Sequence, residues 1–474
     1  MDNKEMDSDV PISRRVFLKY TGAAMAMTMV GLPGRFDTHS SKKRYIMGNI
    51  RIRNVQSNFE RIPLNPYRFK GGASTEMWNA IACMESETGT RKIGLGPQGV
   101  LWSDASVAAA HSEAGGNALM YSVSERALQM LKGESFKSPV QLLDDIFPDV
   151  YGYAKEITRI EDLSKTFALN ALVCVDNAAW LLYAAENDIR HFDEMIPEPY
   201  RPGLSHKHEG VASMPSFPSG TPIGKVNEAA EEGYFIMKLK IGAAGTQQEM
   251  LEKDKEFLTA VHNALGDRRT SYTKNGRIPY YLDANGRYEK KETLLKLLDH
   301  AKKIGAFDHI AVIEEPFPEH NNNYVDDMGV RVAADERAHT VEEAKECIEL
   351  GYTAFAVKAI AKTLSMTMKI TQLAYEHDIP CFCADLTVSP ILLEWNKNIA
   401  ARLKPLPELT VGLQEANGHQ YYKDWDKQMS YHPMPEAEWV EPQKGIYHTG
   451  ESFYEHSGGI FKPSNHYEAL FKNM

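Results

Sequence analysis

Five short apolar runs between positions 234 and 358 each end in an ionisable group, and this recurrence most restricts the fold. Tyr234–Met237 leads into Lys238-Leu239-Lys240, Ile278–Leu282 into Asp283-Ala284-Asn285, and Ile310–Ile313 into Glu314-Glu315-Pro316. Val330–Ala334 leads into Asp335-Glu336, and Ala354–Val357 into Lys358. Most of the intervals carry a helical pattern. Strand and helix alternating in this way imply a parallel sheet with helical crossovers. In a closed β/α barrel, the C-terminal ends of the strands are where the chemistry is kept.

The alternation extends beyond those five groups. Strands are expected at Val211–Met214, Tyr234–Ile241, Ile278–Asp283, Ile310–Glu314, Val330–Asp335, Ala354–Lys358, Pro380–Asp385 and Leu409–Gln414. Helices are expected at Lys225–Glu232, Glu249–Leu265, Lys291–Ile304, Val341–Leu350, Leu364–Glu376 and Ile391–Leu403. The fourth and fifth strands leave little room for a helix between them. This set fits a closed barrel better than an open sheet. The expected organisation is a leader over 1–44, an α+β capping domain over 45–192, the barrel over 193–416, and a C-terminal segment over 417–474 that returns to the cap.

In the cap, Tyr45–Arg61 and Trp78–Glu87 read as extended, and Ser122–Gly133, Val140–Phe147 and Asp162–Asn187 as helical. Gly94-Leu95-Gly96-Pro97-Gln98-Gly99 reads as a loop; it lacks the strand-to-helix setting of a dinucleotide site. Phe167–Ala185 is nearly all apolar, but Asn170, Asp176 and Asn177 interrupt it, so a buried helix between two domains is expected rather than a membrane span. Proline-rich Asp193–Glu209 marks the boundary with the barrel. The loops at Pro63–Met77 and Gly94–Ser103 are expected to close over a substrate, with Arg68, Lys70 and Trp102 as candidates.

At the N-terminus, Ser13-Arg14-Arg15-Val16-Phe17-Leu18-Lys19 precedes an apolar stretch to about Leu32 and resembles a twin-arginine export signal. That stretch is too short to span a bilayer. An exported, periplasmic protein delivered by the twin-arginine machinery is expected. The net charge of −11 argues against nucleic acid or an anionic membrane as the main partner. Cys83, Cys174, Cys347, Cys381 and Cys383 show neither zinc spacing nor an even disulfide set, and packing explains them. A homo-oligomer is left open.

On a closed barrel, strands two and six face each other across the arc of strands three, four and five. Asp283, Glu314 and Asp335 then form one wall of hard oxygen ligands suited to Mg²⁺, with Mn²⁺ as an alternative. Lys238 and Lys240 approach from one side and Lys358 from the other. Lys-x-Lys puts both amines on one face of a strand, where Lys238 and the cation are expected to lower the Lys240 pKa.

This set of motifs resembles the enolase superfamily, and more narrowly its muconate-lactonizing and dipeptide-epimerase branch. The resemblance implies a modified TIM-type (β/α)7β barrel with an N-terminal α+β cap. It implies a Mg²⁺-dependent enzyme that removes the proton next to a small-molecule carboxylate through an enediolate. Lys240 would be the base on one face, Lys238 its electrostatic neighbour, and Lys358 the residue on the opposite face. Asp283, Glu314 and Asp335 would hold the metal, supported by Asn285, Glu315 and Glu336. Asp385 and Glu415 are candidates for substrate contact. Gln414-Glu415-Ala416-Asn417 stands where dipeptide epimerases usually carry Asp-x-Asp, which counts against an ordinary dipeptide. His111 and His419 are read as structural. A racemase or epimerase of an amino-acid derivative or hydroxy acid is expected. A lyase dehydrating a sugar acid is the alternative, and a non-catalytic periplasmic binding protein is the reading from another class.

Overall fold

The computed structural model describes residues 49–69 and 72–472. The export motif around Arg14 and Arg15 and the candidate Lys70 lie outside the described residues.

The barrel strands follow the expected order. They lie at Gly210–Met214 with Ser216–Phe217, then Met237–Lys240, Tyr280–Asp283, Ile310–Glu314, Val332–Ala334, Ala354–Val357, Cys381–Cys383 and Gly412–Glu415. Each neighbouring pair is parallel. Closure happens within the first strand, which Pro215 breaks in two. Its front half pairs with the last barrel strand and its rear half with the second. The Pro215 carbonyl accepts the Lys238 N–H at 2.9 Å, which joins the seam. Between the fourth and fifth strands only a 3-10 turn, Asp326–Met328, appears, as the spacing predicted.

The cap departs from its expected form. A long hairpin, Ile50–Phe69 with Gly72–Ser86, is joined by a third strand, Arg91–Gln98. The Pro63–Met77 stretch is therefore the far end of this hairpin, not a free loop. Gly94 and Gly96, expected in a loop, lie in the third strand for a packing reason. A Cβ at Gly94 would stand 2.2 Å from the Cys174 carbonyl oxygen, and one at Gly96 would stand 2.5 Å from the Cys174 nitrogen. Only a strand without side chains there can lie flat on the helix Lys165–Glu186.

That helix is the apolar segment read from the sequence, and its most apolar window is wholly buried. Its polar interruptions each have a task. Asn170 and Asn177 donate to the carbonyls of Pro97 and Leu95 at 2.7 and 2.9 Å. Asp176 accepts from the Ser365 hydroxyl and backbone N–H on the barrel side. The helix thus ties cap to barrel through hydrogen-bonded polar groups inside an apolar interface, with Asn177 Oδ1 alone among these three residues' side-chain oxygens left without a partner.

The C-terminal segment touches both parts. His466 meets Glu60 at 2.8 Å and Glu468 meets Arg91 at 2.6 Å on the cap. Ile446–His448 forms an extra antiparallel strand against Gly210–Met214.

Candidate active site

Register puts the charged groups side by side. Lys240 lies opposite Asp283, and Asp283 opposite Glu314, on adjacent parallel strands. Asp335 and Lys358 each follow immediately on their strands. Backbone strain is also present at this end. Asn285, Glu315 and Thr387 hold positive φ values of 43°, 40° and 55° at strand ends. Non-glycine residues in that region are uncommon and gather at functional sites.

Here the barrel mouth and the cap border a cavity of about 520 Å³, part of it open to solvent. Lys238 and Lys240 line one side, Lys358 the other, with Asp335 and Glu336 between them. The cap contributes the apolar wall of Leu64, Tyr67, Phe69, Met77 and Trp102. Asp385 and Glu415 also line the cavity.

Lys238 is buried among three carboxylates, at 3.0 Å from Asp283, 2.6 Å from Glu314 and 3.0 Å from Glu415. Burial opposes its charge, but those anions together prevail and hold its pKa well above the ordinary value. Lys240 bonds to Asp283 and donates to Asn285 Oδ1 at 2.8 Å. Burial is again the largest influence and works to lower its pKa; Asp283 and weaker neighbours outweigh it, so the pKa is raised. Lys238 does press the Lys240 pKa down, as the Lys-x-Lys spacing predicted. Asp283 is the stronger neighbour.

Lys358 is buried, pairs with Asp335, and lies 4.4 Å from the centre of the Trp102 ring. Burial raises the Asp335 pKa, but Lys358 and Lys362 more than offset it and hold the carboxyl below its usual range. Glu314 goes the other way. Burial, then the Asp283 charge, pushes it well above the usual range. Its Oε2 accepts the Tyr281 hydroxyl at 2.6 Å, while its buried Oε1 has no hydrogen-bond partner. Glu315 acts on the backbone. Its Oε2 accepts the N–H groups of Asp335 and Arg337 at 2.8 and 3.2 Å, fixing the end of the next strand.

Among the described residues, Glu314, Asp335 and Glu336 bring carboxylate oxygens within 4.8 Å of one another, all buried. Asp283, the other expected ligand, is engaged by both Lys238 and Lys240. Glu336, expected as a support, stands in the cluster instead. Buried oxygen donors, with both Glu314 Oε1 and Asp335 Oδ1 lacking a hydrogen bond, fit a hard divalent cation, because a cation removes the penalty that burial places on these charges. Asn285 bridges this cluster to Lys240 by donating to Glu336 Oε1 at 3.3 Å.

The two substrate-contact candidates differ in availability. Glu415 is engaged by Lys238, by the Asp385 N–H at 3.0 Å and by Asn417 Nδ2 at 3.2 Å. Asp385 accepts the Asn417 N–H at 2.9 Å through Oδ2, while its buried Oδ1 has no hydrogen-bond partner. Burial, then the Glu415 charge, pushes the Asp385 carboxyl up to about 7. Arg68 and His419 do not line this cavity.

Sequence reasoning missed Tyr281 and Lys362; it expected Pro63–Met77 to close over the site but did not single out Leu64, Tyr67, Phe69 or Met77 there. Tyr281 was within reach, since it alternates with Asp283 and so shares its inward face. Lys362 sits one helical turn beyond Lys358 and donates to the Asp335 and Ala338 carbonyls.

Residues 224–435 match the family described as enolase C-terminal domain-like. Over these residues, which make up most of the barrel, the chain is similar to the enolase C-terminal domain. Solved structures share the fold of most of this chain. A mandelate racemase/muconate lactonizing protein from Herpetosiphon aurantiacus superposes with a TM-score of 0.58 at 14% identity, covering 84% of this chain and 95% of that one. A dipeptide epimerase from Enterococcus faecalis V583, complexed with Mg and the dipeptide L-Leu-L-Tyr, gives 0.54 at 17% identity, covering 78% and 99%. The substrate-liganded L-Ala-D/L-Glu epimerase from Bacillus subtilis gives 0.55 at 14%, covering 79% and 91%. At these identities the likeness is one of fold. No curated protein sequence matches the chain.

Proposed function

We propose that the protein is a Mg²⁺-dependent racemase or epimerase that abstracts the proton α to a substrate carboxylate. The observation that carries this reading is the placement of Lys240 and Lys358 on opposite sides of one cavity, with carboxylates between them. An amine on each face allows a proton to leave one side of a carbon and return on the other.

Glu314, Asp335 and Glu336, with Asp283 alongside, would hold the cation, and its charge would stabilise the second negative charge that develops on the substrate carboxylate. Lys240, once neutral, takes the α-proton through Nζ, which Asn285 and Asp283 hold in place. Lys358 serves the other face, steadied by Asp335 and by the Trp102 ring. Tyr67, Met77 and Trp102 close an apolar wall that keeps water from the carbanionic intermediate.

The test is incubation with libraries of N-acyl amino acids, dipeptides and sugar acids in heavy water, read by mass shift. Deuterium appearing in both epimers is the expected result. An unsaturated or keto product with loss of water would point instead to dehydration. Absence of exchange with every acid would refute the proton-abstraction reading.

We also propose that the chain is exported to the periplasm in folded form. Support comes from the Ser13–Lys19 motif and the apolar stretch after it. Replacing Arg14 and Arg15 by lysine is expected to keep the protein in the cytoplasm. Unchanged export of that variant would sink the idea.

A further inference from the structure

Beyond the inner cavity lies a second chamber of about 920 Å³, lined in part by Arg68, Phe69, Lys240, Gly242, Asn285 and Arg287. Phe69, Lys240 and Asn285 line both spaces, so the two adjoin at these residues. Among the described residues, no acidic side chain lines the outer chamber. In a chain with 64 acidic against 53 basic residues this is a local reversal of charge.

Arg287 is held there by construction. Asn285 and Gly286, at φ 43° and 71°, turn the chain immediately before it. Its backbone N–H donates to the Ala284 carbonyl at 3.0 Å, and its carbonyl accepts Gln247 Nε2 at 2.9 Å. A Cβ at Gly242 would stand 2.6 Å from the Arg287 Cβ, so the bare glycine makes room for the arginine stem. The nearby Asp254 carboxylate is already committed to the N–H groups of Gly242 and Ala243 and to the Tyr288 hydroxyl. Among the described residues, neither the Arg68 nor the Arg287 guanidinium makes a close ion pair with a carboxylate, although, against the larger effect of burial, the Arg287 charge does work to lower the Asp254 pKa. Guanidinium groups favour planar carboxylates, which they bind through paired hydrogen bonds.

We propose that the outer chamber is the subsite for a second, distal carboxylate, so that the substrate is a dicarboxylic acid reaching from the inner cavity past Lys240 to Arg68 and Arg287. The assignment rests on the proton-abstraction reading for which end of the substrate reacts. It does not rest on that reading for the binding of the distal end.

The test is calorimetric binding, with Mg²⁺ present, of the straight-chain diacids from succinate to pimelate. Each is compared with the monoacid of equal length. At least one diacid is expected to bind tenfold or more tighter than its monoacid. R287Q and the R68Q/R287Q pair are expected to abolish that preference while monoacid affinity stays within twofold. R287K, which keeps the charge, is expected to restore part of it. No diacid preference at any length, or a preference that survives in R68Q/R287Q, would overturn the proposal. Failure of the proton-abstraction reading would look different: no α-exchange with any acid, yet an arginine-dependent preference for diacids.

Discussion

Lys358→Met separates the two faces of the proposed reaction, and its consequences can be worked from the contacts. Lys358 is buried against Asp335, so its loss would ordinarily strand a buried charge and cost about 3–5 kcal/mol. Here Lys362 Nζ remains 3.3 Å from Asp335 Oδ1, and the smaller cost of a weakened buried pair, about 1–2 kcal/mol, is expected. The folded protein should therefore survive for assay. A positioned acid–base group contributes about 10²–10⁴ in rate, equivalent to about 3–5 kcal/mol in the barrier at 1.36 kcal/mol per tenfold. Racemisation should fall by that factor. Wash-in of solvent deuterium, followed by NMR on each enantiomer separately, should persist for the enantiomer that presents its proton to Lys240 and vanish for the other. Lys240→Met should show the reverse preference. Equal exchange of both enantiomers by Lys358→Met would refute the two-face assignment.

The metal cluster can be dissected by titration with Mn²⁺ followed by electron paramagnetic resonance. Glu314→Gln and Glu336→Gln are each expected to weaken binding at least tenfold, and a milder effect is expected from Asp283→Asn, whose carboxylate faces the two lysines. Equal loss in all three variants would return Asp283 to the centre of the ligand set. Chelator treatment should abolish α-exchange and added Mg²⁺ should restore it; full activity in chelator would refute a metal-dependent reaction. Gly96→Ala should lower stability by about 1–3 kcal/mol through overpacking against Cys174, and an unchanged urea midpoint would show that strand and helix can separate freely. Asp176 gives a pH signature. Burial raises its pKa from 3.8 to about 6 against the opposing Ser365 hydrogen bonds, so the folded state holds this proton more tightly than the unfolded chain. Stability is then full below pH 4 and falls as pH rises through 6, by about 3 kcal/mol in all at 1.36 kcal/mol per pKa unit. Asp176→Asn should remove this decline in urea unfolding between pH 4 and pH 7, and an identical slope in the variant would count against it.

Much of the barrel was legible because its signals are local. Lys240, Asp283, Glu314, Asp335 and Lys358 all follow apolar runs, and a parallel sheet brings the ends of successive strands to one face whatever the loops do. The helices Lys291–Ile304 and Leu364–Glu376 agree with their sequence patterns to the residue. Reading Gly94–Gly99 as a loop failed because glycine has two uses that look alike in sequence. It turns a chain, and it also lets a strand press against a helix. Here the partner helix is some eighty residues further along, and no local pattern records it.

What the sequence alone determined is the order of strands and helices and the list of ionisable groups at one end of them. Periodicity and chain order suffice for that. Only the tertiary structure decided how the charges divide: Glu314, Asp335 and Glu336 into a cluster, Asp283 to Lys238 and Lys240, Glu415 to Lys238, Lys362 to Asp335. Those pairings depend on side-chain reach across neighbouring strands and on burial, where a shift of an ångström exchanges one partner for another. The cavity wall from the hairpin, and the chamber that Arg287 enters past Gly242, likewise arise from segments distant in sequence meeting at the barrel mouth.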